Sequence, residues 1–199
     1  MKFPSSYLVY DFETTGLEKD CQVLEIGARF VQDNKIWLNK TWLIKSPTPI
    51  PPFITELTGI TDDLLATEGV DEGKAFREFA SVAARAEALV GHNIIRFDNP
   101  ILQRMAEKHG VLAQFEKPMR ACIDTAALFK AQEMGEEQFW TESFGAFQER
   151  IANTKNNVKY KLELAYEKLG FSTEGIVAHR AAGDIEMAHQ IFLKMTGKM

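Results

Sequence analysis

Cysteine is scarce in this chain: Cys21 and Cys122 are the only two in 199 residues. They are too few and too far apart for a disulfide framework or a zinc ribbon. Both lie in apolar stretches, which fits free buried thiols in a reducing cytosol. An excess of positive charge is missing as well. Lys and Arg number 23 against 28 Asp and Glu, giving a formal net charge of −5. This balance argues against a protein that coats nucleic acid through a broad basic surface. It leaves room for an enzyme that acts on nucleic acid. No apolar run approaches the roughly 18 residues of a membrane span. The start, Met1-Lys2-Phe3-Pro4-Ser5-Ser6, lacks an apolar core of signal-peptide length. The expectation is a soluble cytoplasmic protein with no membrane partner. Internal repeats and low-complexity tracts are also lacking. What is present is ordinary for a globular protein, with 45% hydrophobic and 26% charged residues. A single domain of this length buries about 70% of its unfolded surface and needs no disulfide or structural metal to fold.

Hydrophobic patterning gives the organisation. Tyr7 to Glu13 is β-branched and aromatic, too short for a helix, and reads as a buried strand. Val23 to Val31 and Ile36 to Ile44 are two further strands, and Asp33-Asn34 between them is a hairpin turn. Pro47, Pro49, Pro51 and Pro52 predict an extended loop. From Asp71 the apolar spacing becomes helical, through Ala75, Phe76, Phe79, Val82 and Ala83. Ala88 to Val90 reads as a short strand ending at Gly91. Asn99-Pro100 opens a helix with Pro at its first position, carrying Ile101, Leu102, Met105 and Ala106. Ala121 to Ile123 is a strand candidate followed by a helix from Thr125. Leu162 to Leu169 and Ala181 to Met195 are the last helices. Hairpin strands followed by alternating strands and helices define an α/β domain with a mixed sheet.

The acids then carry the chemistry. Asp11-Phe12-Glu13 is a short pattern that recurs by chance, and Asp184-Ile185-Glu186 repeats it. On a strand, residues two apart share a face, so Asp11 and Glu13 project together. On a helix they do not. Two adjacent carboxylates on a buried strand repel unless a cation lies between them. Asp98 heads the apolar stripe of its helix; the plain alternative is an acid that favours the helix dipole. Asp184 lies on the stripe of Ala181, Ala188, Ile191 and Met195, where a lone carboxylate needs a partner. His179 stands just before that helix. Four acids from three segments thus point to one place. Hard cations such as Mg²⁺ take oxygen ligands of this kind, and two of them clamp a phosphodiester during attack by water. A neighbouring His is suited to take the proton.

These residues resemble a known family. Asp11-Phe12-Glu13-Thr14-Thr15-Gly16, His92-Asn93-Ile94-Ile95-Arg96-Phe97-Asp98 and His179-Arg180-Ala181 with Asp184 look like the three motifs of the DEDDh-class 3′-to-5′ exonucleases. That family includes the proofreading epsilon subunit of bacterial DNA polymerase III. Leu57-Thr58-Gly59-Ile60-Thr61 and Tyr160-Lys161-Leu162 with Leu169-Gly170-Phe171 also look like family segments. The resemblance implies a ribonuclease-H-like fold, a mixed β-sheet flanked by helices, in a single exonuclease domain over 1–199. It implies hydrolysis at the 3′ end of single-stranded DNA, releasing nucleoside 5′-monophosphates. By similarity, Asp11, Glu13, Asp98 and Asp184 hold two Mg²⁺ ions, for which Mn²⁺ substitutes. His179 is the general base, with Glu13 also in the catalytic set. Phe12, Thr14, Thr15, Gly16, Leu17, His92, Asn93 and Phe97 meet the strand. An RNA or oligoribonucleotide exonuclease, or a catalytically silent nucleic-acid or polymerase-binding module, stays open at this point.

One stretch, 131–159, is longer than the minimal domain needs and reads as a family-variable insertion. It carries Phe139, Trp140, Phe144 and Phe147, and then Arg150, Lys155 and Lys159, with Lys161 and Lys168 just beyond. Aromatic and basic interleaving suits a single-stranded nucleic-acid track. An amphipathic helix with a solvated loop, or a contact with a polymerase or a second copy, are the alternatives. The acidity is uneven. Residues 51–100 hold nine acids against four bases, while 150–168 holds five bases against two acids. Two bound divalent ions would offset four of the five net negative charges. The acidic total is therefore compatible with a strand end held in a metal-charged cleft.

Overall fold

The structure is a computed structural model that describes residues 4–18 and 20–197. Three strands come first: β1 (Ser6–Thr14), β2 (Val23–Gln32) and β3 (Lys35–Leu43). They form an antiparallel meander. The β2–β3 turn has Asp33 and Asn34 at φ 51° and 61°, the double left-handed conformation that matches the twist of a two-residue hairpin. β4 (Ala88–Gly91) and β5 (Ile123–Asp124) add parallel to the other side of β1. The sheet order is β3-β2-β1-β4-β5, so β1 is central.

The helices cover both faces. They are α1 (Pro52–Thr58), α2 (Asp62–Glu68), α3 (Glu72–Ala83), α4 (Asp98–Lys108), α5 (Leu112–Arg120), α6 (Thr125–Met134), α7 (Phe144–Asn153), α8 (Leu162–Lys168) and α9 (Ala181–Thr196). The two-residue period of β1 divides the core between these layers. Leu8, Tyr10 and Phe12 pack with Phe76, Phe79, Leu102 and Phe115 of α3, α4 and α5. Tyr7 and Val9 pack with Ile185, Ala188 and Phe192 of α9. Asp11 and Glu13 continue the second face, so the acidic end of β1 points toward the start of α9.

Four local readings are corrected. The proline stretch does not stay extended: Pro52 opens α1 at a position where its missing N–H has no helical partner. The Thr61 side chain then caps α2, accepting from the Leu64 N–H. α4 starts at Asp98 rather than at Pro100, and Pro100 is tolerated because first-turn amides have no acceptor within the helix. α5 was not anticipated, and it carries Pro118 inside. The backbone at Ala121 and Cys122 closes that helix onto Pro118 and Met119, so the following strand begins at Ile123. The 131–159 stretch contains the end of α6 and all of α7. The apolar side of α7, Phe147, Ile151 and Ala152, packs on Ala127 and Ala131 of α6.

Gly27 lets α9 reach the sheet: a Cβ there would lie 2.8 Å from both the Cβ and the carbonyl oxygen of Ala181. Gly27→Val should therefore push the first turn of α9 off β2. The expected loss is about 1–3 kcal/mol, read by denaturant unfolding. An unchanged midpoint would mean that the contact relaxes freely.

Candidate active site

Ligand oxygens of Asp11 and Glu13 from β1 and Asp184 from α9 all lie within 4.8 Å of one another. Asp98, at the start of α4, stands beside Asp11, and its Oδ1 accepts the Phe12 N–H at 3.1 Å. Burial, followed by mutual repulsion, raises the pKa values of all four. Asp11 is pushed well above the carboxylate range by burial and by Asp98, Asp184 and Glu13. Burial pushes Asp98 the same way. Glu13 rises to about 7 through burial and the neighbouring Glu25. Asp184 rises to about 8 through burial and Glu13. One oxygen, Asp11 Oδ2, is buried with no hydrogen-bond partner. An orphaned buried acceptor among carboxylates fits a hard divalent cation, which takes oxygen ligands and relieves the repulsion.

The start of α9 is fixed from β2. Glu25, fully buried in β2, accepts from Arg180 Nε and Nη2 at 3.0 and 2.9 Å and from the Ala181 N–H at 3.1 Å. Glu25 lies directly across from Glu13 in the sheet. The clamp therefore ties the helix carrying the third acid to β2, the neighbour of the strand carrying the other two. Just before it, His179 has φ +57°. Its N–H donates to Asp184 Oδ1 at 3.2 Å, and its Nε2 lies 3.2 Å from Glu163 Oε1 of α8. Glu25, Arg180 and Glu163 escaped the sequence reading. A charge inside Val23-Leu24-Glu25-Ile26 was the available sign that a buried partner must exist, but nothing local names it.

The loop from His92 to Phe97 is organised by Asp124, a buried acid that caps α6. Its carboxylate accepts from the N–H groups of Asn93 (2.8 Å), Ile95 (3.0 Å), Ala126 (2.9 Å) and Ala127 (3.2 Å). Asn93 takes the left-handed φ of +62° that this turn requires. Both ring nitrogens of His92 are engaged within the protein. Nε2 meets the Tyr160 carbonyl at 2.6 Å and Nδ1 meets the Thr125 hydroxyl at 2.9 Å. The carbonyl can only accept, so Nε2 carries the proton, and burial lowers the pKa of the ring. The polar atoms of His92 thus hold Tyr160 rather than a bound strand.

Beside the acids lies an open cavity of about 370 Å³, lined by Phe12, Thr14, Gly16, Leu17 and Phe97. Phe53, Ile54 and Leu57 of α1 complete its wall. They were missed because the proline stretch was read as a loop. A second cavity of about 410 Å³ lies between Leu17, Arg96, Phe97 and Arg104. Leu17, 83% exposed, borders both cavities. Thr15 ties the loop instead, exchanging bonds with the backbone of Gln22 at 3.0 Å.

The basic residues near 131–159 separate into two groups. Arg150 pairs with Glu136 (2.9 Å) and Glu142 (3.0 Å) and lies over the Phe139 ring, while Lys168 pairs with Glu133. Lys155, Lys159 and Lys161 are exposed. The last two flank Tyr160, which His92 holds and whose hydroxyl accepts from Arg96 at 3.4 Å.

A mixed sheet carrying clustered acids on its central strand and on a facing helix defines a metal-binding α/β fold of the ribonuclease-H type. Solved structures share it. E. coli Exonuclease I in complex with a dA16 oligonucleotide superposes with a TM-score of 0.74 at 17% identity, covering 98% of this chain and 41% of that one. The zinc-ion-bound form of the E. coli ExoI–ssDNA complex gives 0.75 at 16% identity, over 98% of this chain and 41% of that one. Residues 8–192 match the Exonuclease (RNase_T) family, and the chain belongs to it. Among relatives, a PolC-type DNA polymerase III of Mycoplasma genitalium is 30% identical over 94% of this chain and 11% of its own length. The 3′-5′ exonuclease DinG of Staphylococcus haemolyticus is 33% identical over 63% of this chain and 13% of its own. The chain thus spans about a tenth of the length of these relatives. Among the described residues, no helix is long and apolar enough to cross a membrane.

The raised acids make metal-free stability depend on pH. A carboxyl whose pKa is raised by folding adds stability below its unfolded value near 4, and that stability is lost as pH climbs through the folded value. Burial lowers the His189 pKa from 6.5 to about 4, so that group works in the opposite sense only below about pH 6.5. Across the window from pH 6.5 to 8.5 the raised acids act in one sense: Asp11 and Asp98, held well above the carboxylate range, and Asp184, at about 8, keep protons that the unfolded chain has lost, while Glu13, at about 7, completes its share. In EDTA the Tm should fall across this window, and added Mg²⁺ or Mn²⁺ should raise it most at pH 8.5. A flat Tm in EDTA would refute the shared acidic site.

Proposed function

We propose that this chain is a 3′-to-5′ exonuclease domain that releases nucleoside 5′-monophosphates from the 3′ end of single-stranded DNA. The observation that carries this reading is the convergence of Asp11, Glu13 and Asp184, with an unpartnered Asp11 oxygen, beside an open apolar cavity. Asp11, Glu13, Asp98 and Asp184 would hold two Mg²⁺ ions, or Mn²⁺ in their place. Bound there, such ions supply Lewis-acid stabilisation to the scissile phosphate. The side chains do the rest. Phe12, Leu17, Phe53, Leu57 and Phe97 receive the terminal base on apolar surface, with Leu17 dividing it from its neighbour. Backbone N–H groups of the loop after β1 would donate to the terminal sugar hydroxyl. His179 accepts the proton of the attacking water, and the Glu163 carboxylate 3.2 Å from Nε2 stabilises the resulting imidazolium. Upstream phosphates follow Arg96, Lys159 and Lys161 along the loop that His92 anchors. Similarity to PolC-type DNA polymerase III supports association with a polymerase as one setting for the domain.

End-labelled single-stranded DNA, duplex DNA and RNA, incubated in Mg²⁺ and in EDTA, test the reading. A ladder shortening from the 3′ end of single-stranded DNA, abolished by EDTA, is expected. Faster loss of RNA would move the substrate class, and no shortening would overturn the activity. Two variants separate roles within the site. Asp11→Ala should lose hydrolysis while staying folded, with Mn²⁺ binding weakened by calorimetry. His179→Ala should slow turnover by about 100-fold or more with metal binding retained. Metal binding lost in the second variant would make His179 a ligand.

The exposed lysines give a further test. Replacing Lys159 and Lys161 by Ala should weaken strand binding and lower the log–log salt slope by about 1.4. An unaltered slope would remove this loop from the strand path.

A further inference from the structure

Glu18 borders both cavities, one on each side of Leu17. Its carboxylate folds back over the loop after β1, where a Cβ on Gly16 would meet Oε2 at 2.5 Å. Glycine at position 16 is what allows the acid to lie there. The remaining side-chain polarity of the cavity beside the acids is already committed. The Thr14 hydroxyl donates to the Gly16 carbonyl at 2.7 Å, and the Thr58 hydroxyl donates to the Ile54 carbonyl at 2.8 Å. Glu13 belongs to the acid cluster. The rest of the lining is Phe, Leu and Ile together with glycine. The side chains of this cavity therefore offer a base no hydroxyl proton and one uncommitted carboxylate.

We propose that Glu18 makes the domain selective for 3′-terminal bases bearing an exocyclic amino group. This rests on the exonuclease reading above and adds a base preference to it. A carboxylate accepts hydrogen bonds and donates none. Cytosine presents an N4 amino donor at the position where uracil and thymine present a carbonyl oxygen. The donor is attracted to Glu18; the carbonyl lone pairs are repelled by it. The argument is made for a base in the cavity beside the acids; the second cavity also presents Arg96 and Arg104, whose guanidinium groups donate to a carbonyl. Its exposure keeps the effect modest, since water competes for the same hydrogen bonds.

The test uses single-stranded DNA oligonucleotides identical except for a terminal dC or dU, whose bases differ only at N3 and C4. The dC strand should show a kcat/KM about 5-fold higher. Glu18→Gln, whose amide both donates and accepts, should bring the ratio to near one. Equal rates in the unaltered protein, or a ratio that survives Glu18→Gln, would overturn the proposal. If neither strand releases a mononucleotide, the exonuclease reading itself fails. Equilibrium binding of dCMP and dUMP in Mn²⁺ then decides the base preference alone. Tighter dCMP binding that disappears in Glu18→Gln supports it, and equal binding refutes it.

Discussion

Asp11 holds a buried oxygen that no group among the described residues satisfies, and the arrangement of the domain follows from that fact. A carboxylate in the middle of a sheet is unfavourable, and three more acids crowd it. Proteins whose only requirement is stability remove such groups. Here the sheet order makes β1 central, so its side chains are covered on both faces. One face then changes from apolar to acidic within four residues, from Tyr7 and Val9 to Asp11 and Glu13. The apolar half anchors α9 through Ile185, Ala188 and Phe192, and the acidic half meets Asp184 on the same helix. Core and site are two ends of one strand–helix contact.

That contact must resist the repulsion it contains, and the surrounding residues supply the resistance. Glu25 and Arg180 clamp the helix start to β2 with a bidentate pair. Gly27 removes the side chain that would keep α9 at a distance. Deeper along the helix, Arg29 joins Glu186 at 2.6 Å, while His189 meets Tyr7 at 3.0 Å. Asp124 performs the equivalent task for the loop leading to Asp98, by gathering four backbone N–H groups. Support of this kind offsets the mutual repulsion of the acids and fixes their positions. The site is preorganised for a cation, which is what a two-metal reading of the chemistry requires.

Local periodicity carries far in this sequence because strand and helix periods are short-range properties. Alternation on β1 places Asp11 and Glu13 on one face, and the 3.6-residue stripe of α9 places Asp184 inward. The hairpin turn is legible because Asp33-Asn34 suits left-handed backbone. What escapes is long-range or depends on context. Glu25 and Arg180 are 155 residues apart, and no local pattern joins them. Glu163 lies in an ordinary amphipathic helix until the fold turns it to His179. His92 reads as a strand-contacting residue in its motif, yet its ring nitrogens face Thr125 and Tyr160. The cavity wall from α1 was hidden by prolines, whose opposite meanings at a loop and at a helix start cannot be told apart from composition.

Charge behaves the same way. An overall excess of acid gives no sign of a nucleic-acid cleft, because the total mixes acids with different tasks. Asp11, Glu13, Asp98 and Asp184 are gathered where cations belong. Glu136 and Glu142 neutralise Arg150, and Glu133 neutralises Lys168, so two of the five bases in the apparent track are internal bracing. Lys159 and Lys161 remain exposed beside Tyr160, on the loop that His92 ties to the second motif. On the proposed reading these bases would form a short path leading to the acidic cluster, which would attract phosphate only through bound cations. On the proposed exonuclease reading, a domain built this way would engage a strand at its end, where a single phosphate could reach bound metals while the few free bases hold its neighbours.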